Sequence, residues 1–336
     1  MSFARTILGD IPVENMGVTY SHEHIVIDEC YATFENPDFL LNDQQKIALE
    51  LIGLTKLGCS TMVDTMPVNV GRNILKSVAL SKQSGIHFIL PTGIHLERYY
   101  PKSHWRYQYT ADQLTRLFVA DIEEGIDQYD YNGPFVDRSL HKAGLIKLAT
   151  GDEPFTKHQE KIFEAVVNAH LQTGVPILTH TNNGNHSIAQ AELFHKLGAN
   201  LNHVVLSHVD RNKDLVYQID LMQTGVSVEY DSAFRWKPGS PNYTYQYLEK
   251  LLPMFPNQIT VGMDAARNSY WKSYGGEPGL DYLLTTFKDE INNRNLHEYL
   301  DKIFIENPAR IFSFEENSSS PQTANQCNPF QLKQQS

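Results

Sequence analysis

The stretch "YSHEHIVID", residues 20–28, places two histidines where an apolar segment begins. His22 and His24 are two residues apart, so in a β-strand their imidazoles project from the same face. A lone histidine near a strand end is more often a satisfied core residue than a metal ligand. The chemistry of this pair therefore depends on what the other strands bring to the same place.

Four later apolar segments each carry one polar side chain of a type that binds metal ions. They are Lys147 in "AGLIKLAT", His180 in "ILTH", His208 in "VLSH" and Asp264 in "TVGMD". Active sites of parallel barrels are built at the C-terminal ends of the strands, so we expect these side chains to meet the histidine pair at one mouth. Four histidines, an aspartate and a lysine in such positions are an improbable pattern for purely structural residues.

Lys147 requires an explanation of its own, because an ammonium group in an apolar strand is costly unless it is paired or neutralised. One interpretation is an ion pair with a nearby carboxylate such as that of Asp264. The other is covalent: an uncharged lysine amine takes up CO2 and becomes N6-carboxylysine, an anionic ligand suited to bridging two cations.

The ligand count is sufficient for two divalent metal ions. Nitrogen and oxygen ligands without thiolate suit zinc, manganese, cobalt or iron, and the sequence does not choose among these metals. We expect the ligands to divide into three groups: His22, His24 and Asp264 for one ion, His180 and His208 for the other, and carboxylated Lys147 as the bridge.

Near-continuous apolar runs alternate with helical stretches along the chain, which is typical of a parallel sheet covered by helices. A doubly wound open sheet is the alternative, but it does not account for polar residues at so many strand ends. We therefore predict an α/β fold, a (β/α)8 TIM barrel with a binuclear metal site at the C-terminal face of its strands. The eight predicted strand segments are 18–28, 59–67, 87–95, 143–150, 175–181, 204–209, 225–231 and 259–264.

Two of the intervening helices carry clear start and stop signals. One is predicted to begin at Asn42 as N-cap and to close at Gly58. The other has Thr156 as N-cap, Gln159 three residues later and Gly174 at its end. These signals place helices between the predicted strands, as a barrel requires.

Composition excludes several classes of partner. The 336 residues include 39 acidic and 28 basic ones, a formal charge of −11 that argues against nucleic-acid binding. The sequence predicts neither a signal peptide nor a membrane span, and the three cysteines have no paired spacing. We expect a cytoplasmic protein without a membrane partner that acts on a small-molecule substrate.

The chain divides into a large apolar part and a polar end. We predict one hydrolase domain over residues 1–315 and a disordered tail over residues 316–336. The sequence "EENSSSPQTANQCNPFQLKQQS" at this end is polar and has no apolar periodicity.

The motifs quoted above resemble those of the phosphotriesterase family of the amidohydrolase superfamily, in particular its lactonase branch. The resemblance extends over about residues 9–314, and its marks are the His-x-His pair, "KAGLIKLAT", "ILTHT", "VLSHVDRN" and "GMDAAR". It implies the barrel, the binuclear site and the carboxylation of Lys147. It also implies lactone opening by a metal-bridging hydroxide, with Asp264 accepting the proton and passing it to the leaving alkoxide.

The sequence departs from the family pattern in the expected substrate pocket. Where some related lactonases and triesterases place an aromatic residue after the third strand, this chain has His95. After the seventh strand the family often has an arginine or histidine close behind the aspartate, whereas this chain has Ser232 there and Arg235 further on. These departures leave the predicted metal chemistry intact and bear on the substrate.

The loops after the last two strands are rich in cations and hydroxyl groups, a common arrangement for phosphate in barrels. Solvated loop charges are the alternative interpretation of these residues. We predict a phosphorylated sugar lactone as substrate, the preference of one subgroup of the resembled lactonases. The predicted substrate-binding residues are His95, Arg235, Lys237, Arg267, Tyr270 and Lys272.

Two other functions remain open at this stage. One is hydrolysis of uncharged lactones or esters, such as acyl-homoserine lactones, with phosphotriester hydrolysis as a side activity. The other is a barrel that binds metal without catalysis, which the complete set of six ligand positions disfavours. The aromatic loop "HLERYYPKSHWRYQYT", residues 95–110, is either a pocket wall or a subunit contact, and we expect a homodimer.

Overall fold

The structure, a computed structural model, describes residues 2–153 and 155–314. The tail predicted over residues 316–336 therefore lies outside the described residues. The chain begins with an antiparallel hairpin of two short strands, β1 (Phe3–Thr6) and β2 (Gly9–Pro12).

The remaining strands are parallel and form the wall of a barrel. In chain order they are β3 (Val18–Glu23), β4 (Cys59–Asp64), β5 (His87–Ile89), β6 (Pro91–Gly93), β7 (Leu145–Ala149), β8 (Ile177–His180), β9 (Val204–Ser207), β10 (Ser227–Tyr230) and β11 (Ile259–Val261). Strands β5 and β6 are the two halves of one barrel strand, interrupted at Leu90. Each of the eight predicted strand segments thus contains a barrel strand, and the predicted fold class is confirmed.

Backbone hydrogen bonds close the barrel. Strand β5 pairs with β4, and β6 pairs with β7, so the interrupted strand joins the two sheets. At the other seam the amide of Asp264 donates to the carbonyl of His22 at 2.9 Å. This bond brings a residue three positions after the end of β11 beside β3, the first barrel strand.

Helices cover the outside of the barrel and connect successive strands. They are α1 (Tyr31–Glu35), α2 (Gln44–Lys56), α3 (Ile74–Ser84), α4 (Ala111–Glu123), α5 (Lys157–Thr173), α6 (Ser187–Leu197), α7 (Leu215–Gln223), α8 (Tyr243–Leu251), α9 (Thr286–Asn293) and α10 (Asn307–Ile311). None of the helices in the described ranges has the length and apolarity needed to cross a membrane.

The predicted helix ends are right for α5 and wrong by one residue for α2. Thr156 and Gln159 form a capping box at the start of α5, and Gly174 ends it with a left-handed φ of 74°. Helix α2 is capped by Asp43 rather than Asn42, because the Asp43 carboxylate accepts from two amides of the first turn. Its C-cap is Leu57, one residue before the predicted Gly58.

The barrel interior is apolar towards the N-terminal ends of the strands (the lower barrel) and polar towards their C-terminal ends (the upper barrel). An apolar cluster inside the lower barrel takes one inward side chain from each of five strands: Val63, Ile89, Leu145, Leu178 and Val205. Side chains two residues further along a strand share its face. The residues that follow by this rule on β7 and β8, Lys147 and His180, therefore point into the upper barrel.

Candidate metal centre and substrate cavity

One cavity at the C-terminal face of the strands contains all the predicted metal ligands. Four of them lie within the last two residues of a barrel strand or directly after it, Asp264 lies three residues after β11, and Lys147 is more central in β7. The ligand residues that line the cavity are His22, His24, Lys147, His180, His208 and Asp264. The structure thus brings together side chains that are up to 242 positions apart in the chain, between His22 and Asp264.

The first group of ligand atoms surrounds the Asp264 carboxylate. Its Oδ1 lies 3.1 Å from Nε2 of His24 and 3.7 Å from Nε2 of His22. One ligand atom from each of these three residues lies within 4.8 Å of the others, which is close enough for a shared metal ion. His22 and His24 therefore face the same site, as their spacing predicts.

The second group is a histidine pair. Nε2 of His208 lies 2.8 Å from Nδ1 of His180, and the ring centroids are 4.5 Å apart. The His22 ring lies 4.8 Å from that of His208, so the two groups adjoin.

Three polar atoms in this cluster are buried and have no hydrogen-bond partner among the described residues: Nε2 of His22, Nζ of Lys147 and Nε2 of His180. Buried polar atoms in proteins nearly always have partners, so each unsatisfied one needs an explanation. Three such atoms in one cavity indicate a bound group that satisfies them together. Nitrogen donors of this kind fit divalent metal ions.

Lys147 lies within strand β7 and is fully buried. Burial lowers the pKa of its amine to about 8, although Asp264 and Glu229 act in the opposite direction. The predicted alternative of a hydrogen-bonded ion pair with Asp264 is not formed, since Nζ has no partner among the described residues. A lysine amine with a lowered pKa is available in its neutral form, the form that reacts with CO2.

Two glycines allow neighbouring strands to approach the ligands. A Cβ on Gly93 would lie 2.0 Å from the carbonyl oxygen of Lys147, and φ of this glycine is +104°. A Cβ on Gly262 would lie 2.7 Å from Cβ of His22. A side chain at either position would displace the strand that carries a predicted ligand.

Two buried carboxylates stand behind the histidines, and we did not predict a role for either. Oε2 of Glu229 lies 2.6 Å from Nδ1 of His22 and accepts a hydrogen bond from Ser207 at 2.6 Å. Oδ2 of Asp231 lies 2.6 Å from Nδ1 of His208. A carboxylate at Nδ1 holds the proton there and leaves the Nε2 lone pair directed at the cavity.

The pKa values of the imidazoles agree with this arrangement. Burial, followed by the positive charges of neighbouring groups, lowers the pKa of His22, His180 and His208 well below the ordinary histidine value. Neutral imidazole is the form that binds metal ions. All three rings are therefore neutral, which is the form that a metal ion would require.

Asp264 is held by two arginines on its other oxygen. Oδ2 accepts from Arg211 at 2.8 Å and from Arg235 at 3.0 Å. Burial alone would raise the pKa of this carboxyl, but Arg235, His208 and further donors lower it well below its usual value. Asp264 is therefore ionised, with Oδ1 left on the side of the histidines.

His208 and Asp264 both have left-handed backbone conformations, with φ of 65° and 51°. Such conformations are uncommon for residues other than glycine and gather at functional sites. Here they turn each side chain into the cavity, directly after β9 for His208 and three residues after β11 for Asp264.

The predicted substrate-binding residues separate into two groups. His95, Arg235, Arg267 and Tyr270 line the cavity, whereas Lys237 and Lys272 are not among its lining residues. Lys237 is exposed, and Lys272 forms an ion pair with Asp281 at 2.6 Å. The structure thus brings four of the six residues to the predicted site.

The two further arginines of the cavity differ in their partners. Arg267 pairs with Asp38 at 3.2 Å, a carboxylate from the loop before α2. Arg98, which we did not predict, lines the cavity next to Tyr99 and has no ion pair among the described residues. The aromatic loop after β6 therefore forms part of the cavity wall through Tyr99, while Tyr100 is buried beneath it.

The site residues that we did not predict differ in how clearly the sequence marks them. Glu229 and Asp231 are acidic residues two positions apart in the apolar segment "GVSVEYD", a spacing that places both on one strand face. Arg211 lies in the quoted motif "VLSHVDRN". Nothing in the local sequence distinguishes Arg98 from other loop cations.

Arg72 and Asp64 lie near the cavity but do not join the metal cluster. Arg72 is buried against Asp130 and Asp121. The Asp64 carboxylate accepts hydrogen bonds from the amides of Ile25 and Met66. Both residues brace the loops next to the site.

Comparison with known proteins identifies relatives along nearly the whole chain. The sequence matches the Phosphotriesterase family over residues 2–312. It is 34% identical over 326 residues to a phospho-furanose lactonase of Mycoplasmopsis synoviae, covering 94% of this chain and 92% of that protein.

Two solved structures are similar in fold and sequence. A lactonase from Listeria monocytogenes superposes with a TM-score of 0.84 at 31% identity, covering 94% of this chain and 100% of the other. The phosphotriesterase homology protein of Escherichia coli, solved with phosphate in its active site, gives a TM-score of 0.79 at 27% identity. That match covers 89% of this chain and 99% of the other.

Proposed function

This chain belongs to the phosphotriesterase family, and on that premise we propose that it is a metal-dependent hydrolase that opens a phosphorylated sugar lactone. The observation that carries the proposal is the convergence of six ligand-type side chains in one cavity, three of them with buried, unpartnered nitrogen atoms. The relatives named as lactonases support the reaction type.

The donor set fits two divalent cations. His22, His24 and Asp264 would hold one ion, His180 and His208 the other, and Lys147 would bridge them as N6-carboxylysine after reaction with CO2. Zinc is our first choice for the metal, with manganese, cobalt and iron as alternatives. When bound, such ions supply Lewis acidity for the lactone carbonyl and lower the pKa of the attacking water.

Asp264 is the residue of this chain that we expect to move the proton. Two arginines occupy its Oδ2, so the carboxylate is fixed in orientation and Oδ1 remains directed at the ligand histidines. We propose that this carboxylate accepts the proton of the attacking water and delivers it to the alkoxide released when the lactone ring opens.

The substrate phosphate is proposed to bind at the arginine-rich side of the cavity. Arg267 and Tyr270 line it together, and the Tyr270 hydroxyl accepts a hydrogen bond from Arg235 at 3.0 Å. A guanidinium group offers two parallel donors to a phosphate. The lactonase relative whose name specifies a phospho-furanose supports the same substrate class.

A second candidate function is hydrolysis of uncharged lactones or esters, with phosphotriester hydrolysis as a side activity. The apolar part of the cavity lining favours it, since Ile27, Phe39 and Val70 offer a surface for an acyl chain. Arg267 and Arg98 lie beside them and favour an anionic substrate. We therefore prefer the phosphorylated lactone to the uncharged lactones as the substrate.

The deciding experiment compares one pentono-1,4-lactone with and without its 5-phosphate, at saturating Zn²⁺ or Mn²⁺. We expect the phosphate to raise kcat/KM by more than about 10³, which corresponds to about 4 kcal/mol of transition-state binding. A ratio near one would overturn the phosphorylated substrate and favour the uncharged lactones.

We also propose that the protein is a homodimer in the cytoplasm. Exposed apolar side chains on the loop after α4, namely Phe135, Val136 and Leu140, offer a contact surface for a second copy. Sedimentation equilibrium of the purified protein tests the dimer, and a monomer at micromolar concentration would refute it.

A further inference from the structure

His95 lies in the cavity beside the second group of predicted ligands. It follows strand β6 by two residues, and its side chain is 6% exposed. Its ring centroid lies 5.3 Å from that of His180 and 4.7 Å from that of Tyr99, which it meets edge-on. The residue is thus close enough to the predicted reaction centre to contact a bound substrate.

Local hydrogen bonds fix the orientation of this residue. Its amide donates to the Tyr100 hydroxyl at 2.9 Å, and its carbonyl accepts from the buried Arg106 guanidinium at 2.9 Å. The His95 backbone is therefore held on both sides by buried side chains.

The tautomer of His95 follows from one further contact. The amide of Leu96 donates to Nδ1 of His95 at 2.7 Å, so Nδ1 must carry a lone pair. In a neutral imidazole the proton then sits on Nε2. Nε2 bonds to no described protein atom, and the residue lines the cavity, so an N–H donor without a protein partner faces the substrate space.

The same contact argues against His95 as a further metal ligand. A ligand nitrogen needs a lone pair, and in this tautomer Nε2 carries a proton instead. The ligand histidines have the opposite pattern, because carboxylates hold the proton on Nδ1 of His22 and His208. His95 is therefore distinguished from its neighbours by chemistry as well as by position.

We propose that His95 donates its Nε2–H to a ring hydroxyl of the lactone and so selects hydroxylated lactones over aliphatic ones. The inference rests on the lactonase function proposed above. A site built to hydrogen-bond a substrate hydroxyl discriminates against the analogue that lacks it, since the buried donor is then left unpaired. The cavity would thus bind the sugar ring through His95 and the phosphate through Arg267.

The test compares two variants on a matched pair of substrates. The substrates are a pentono-1,4-lactone 5-phosphate and the phosphate of 5-(hydroxymethyl)-γ-butyrolactone, which lacks the ring hydroxyls. His95→Phe keeps an aromatic ring and removes the donor, whereas His95→Gln places an amide N–H near the position of Nε2. His104→Phe is the control, because His104 belongs to the same loop but does not line this cavity.

We expect His95→Phe to lower kcat/KM roughly 10- to 100-fold on the hydroxylated lactone and less than about 3-fold on the other. His95→Gln should stay within about 5-fold of the wild type on both, and His104→Phe should keep the wild-type ratio. Equal losses of His95→Phe on the two lactones, or no loss on either, would overturn the inference alone. A wild-type protein inactive on every lactone would overturn the proposed function as well.

A direct measurement does not depend on the variants. Nitrogen NMR of histidine-labelled wild-type protein, with His95→Gln used for assignment, reports which ring nitrogen carries the proton. We expect His95 to be protonated at Nε2 and not at Nδ1 near neutral pH. Protonation at Nδ1 alone would remove the donor from the cavity and overturn the inference.

Discussion

Replacing Glu229 with glutamine tests whether a buried carboxylate sets the metal affinity of this site. Glu229 lies 2.6 Å from Nδ1 of His22, is fully buried and is oriented by the Ser207 hydroxyl. Burial raises the pKa of Glu229 well above its usual value, whereas the Ser207 hydroxyl and Lys147 act in the opposite direction. The substitution keeps the shape of the side chain and replaces the carboxylate that a metal-bound His22 would face with a neutral amide. The predicted consequence is weaker binding of the ion held by His22.

The magnitude follows from the two kinds of hydrogen bond. Bonds to a charged group are worth about 1.5–3 kcal/mol and neutral ones about 0.5–1.5 kcal/mol, so the variant loses about 1–1.5 kcal/mol. That loss corresponds to roughly tenfold in dissociation constant. It lies at the lower end of the roughly 10- to 100-fold effect seen for groups that orient metal-binding histidines.

The assay is a titration of metal-free protein with Zn²⁺ in competition with a chromophoric chelator. Glu229→Gln should weaken one of the two binding steps and leave the other near the wild-type value. Glu249→Gln is the matched control, because Glu249 is a glutamate on the outer helix α8 that pairs with Arg294. A folded Glu229→Gln protein that binds both ions with wild-type affinity would refute the reasoning.

Three further predictions concern charge, anion binding and packing. Burial lowers the pKa of Lys147 from 10.5 to about 8. In metal-free, CO2-free buffer the folded chain therefore loses this proton at a lower pH than the unfolded chain does. Denaturant titration should therefore show roughly 3 kcal/mol more unfolding free energy at pH 10.5 than at pH 8, relative to Lys147→Met; a constant difference would contradict this. Arg267→Ala should lower kcat/KM for the phosphorylated lactone roughly 10- to 100-fold and spare the unphosphorylated one. Lys272→Ala, outside the cavity, should change neither, and equal effects of the two variants would be inconsistent with the proposed anion site. Gly93→Ala should lower stability by about 3 kcal/mol or more, because its Cβ meets the Lys147 carbonyl. Gly53→Ala, on the exposed face of helix α2, should raise stability by about 0.5–1 kcal/mol in the same thermal denaturation, and similar melting points for the two variants would argue against the close approach at Gly93.

The barrel and the convergence of the predicted ligands at one face were predictable because both rest on local periodicity. Apolar strands that end in a polar residue mark the direction of each strand, and parallel strands bring those ends to one face. Lys147 was conspicuous for the same reason, as a lone charge in an apolar segment. Tertiary structure was not needed to expect these side chains at a single mouth.

The partners of the loop cations were not predictable, because they depend on contacts between distant segments. Arg267 pairs with Asp38, which is 229 residues away, and only the folded loops bring them together. Lys272 turns to Asp281 and away from the cavity, although its position resembles that of Arg267 in the sequence. Charge content alone could not tell which cation would face the substrate.

The role of Glu229 lies between these cases. An acidic residue in the apolar segment "GVSVEYD" could have been recognised as inward-facing, since Asp231 follows two residues later. Its pairing with His22, 207 residues away, required the closed barrel. The sequence thus indicates that a strand carries buried charge, and the fold determines which histidine that charge orients.

The most direct test of the central claim is the rate of pentono-1,4-lactone 5-phosphate hydrolysis by metal-free protein as Zn²⁺ or Mn²⁺ is added back. We predict negligible hydrolysis without metal and a rate that rises to its plateau at two equivalents of metal per chain. Hydrolysis by the chelator-treated protein at the rate of the reconstituted protein would contradict the account.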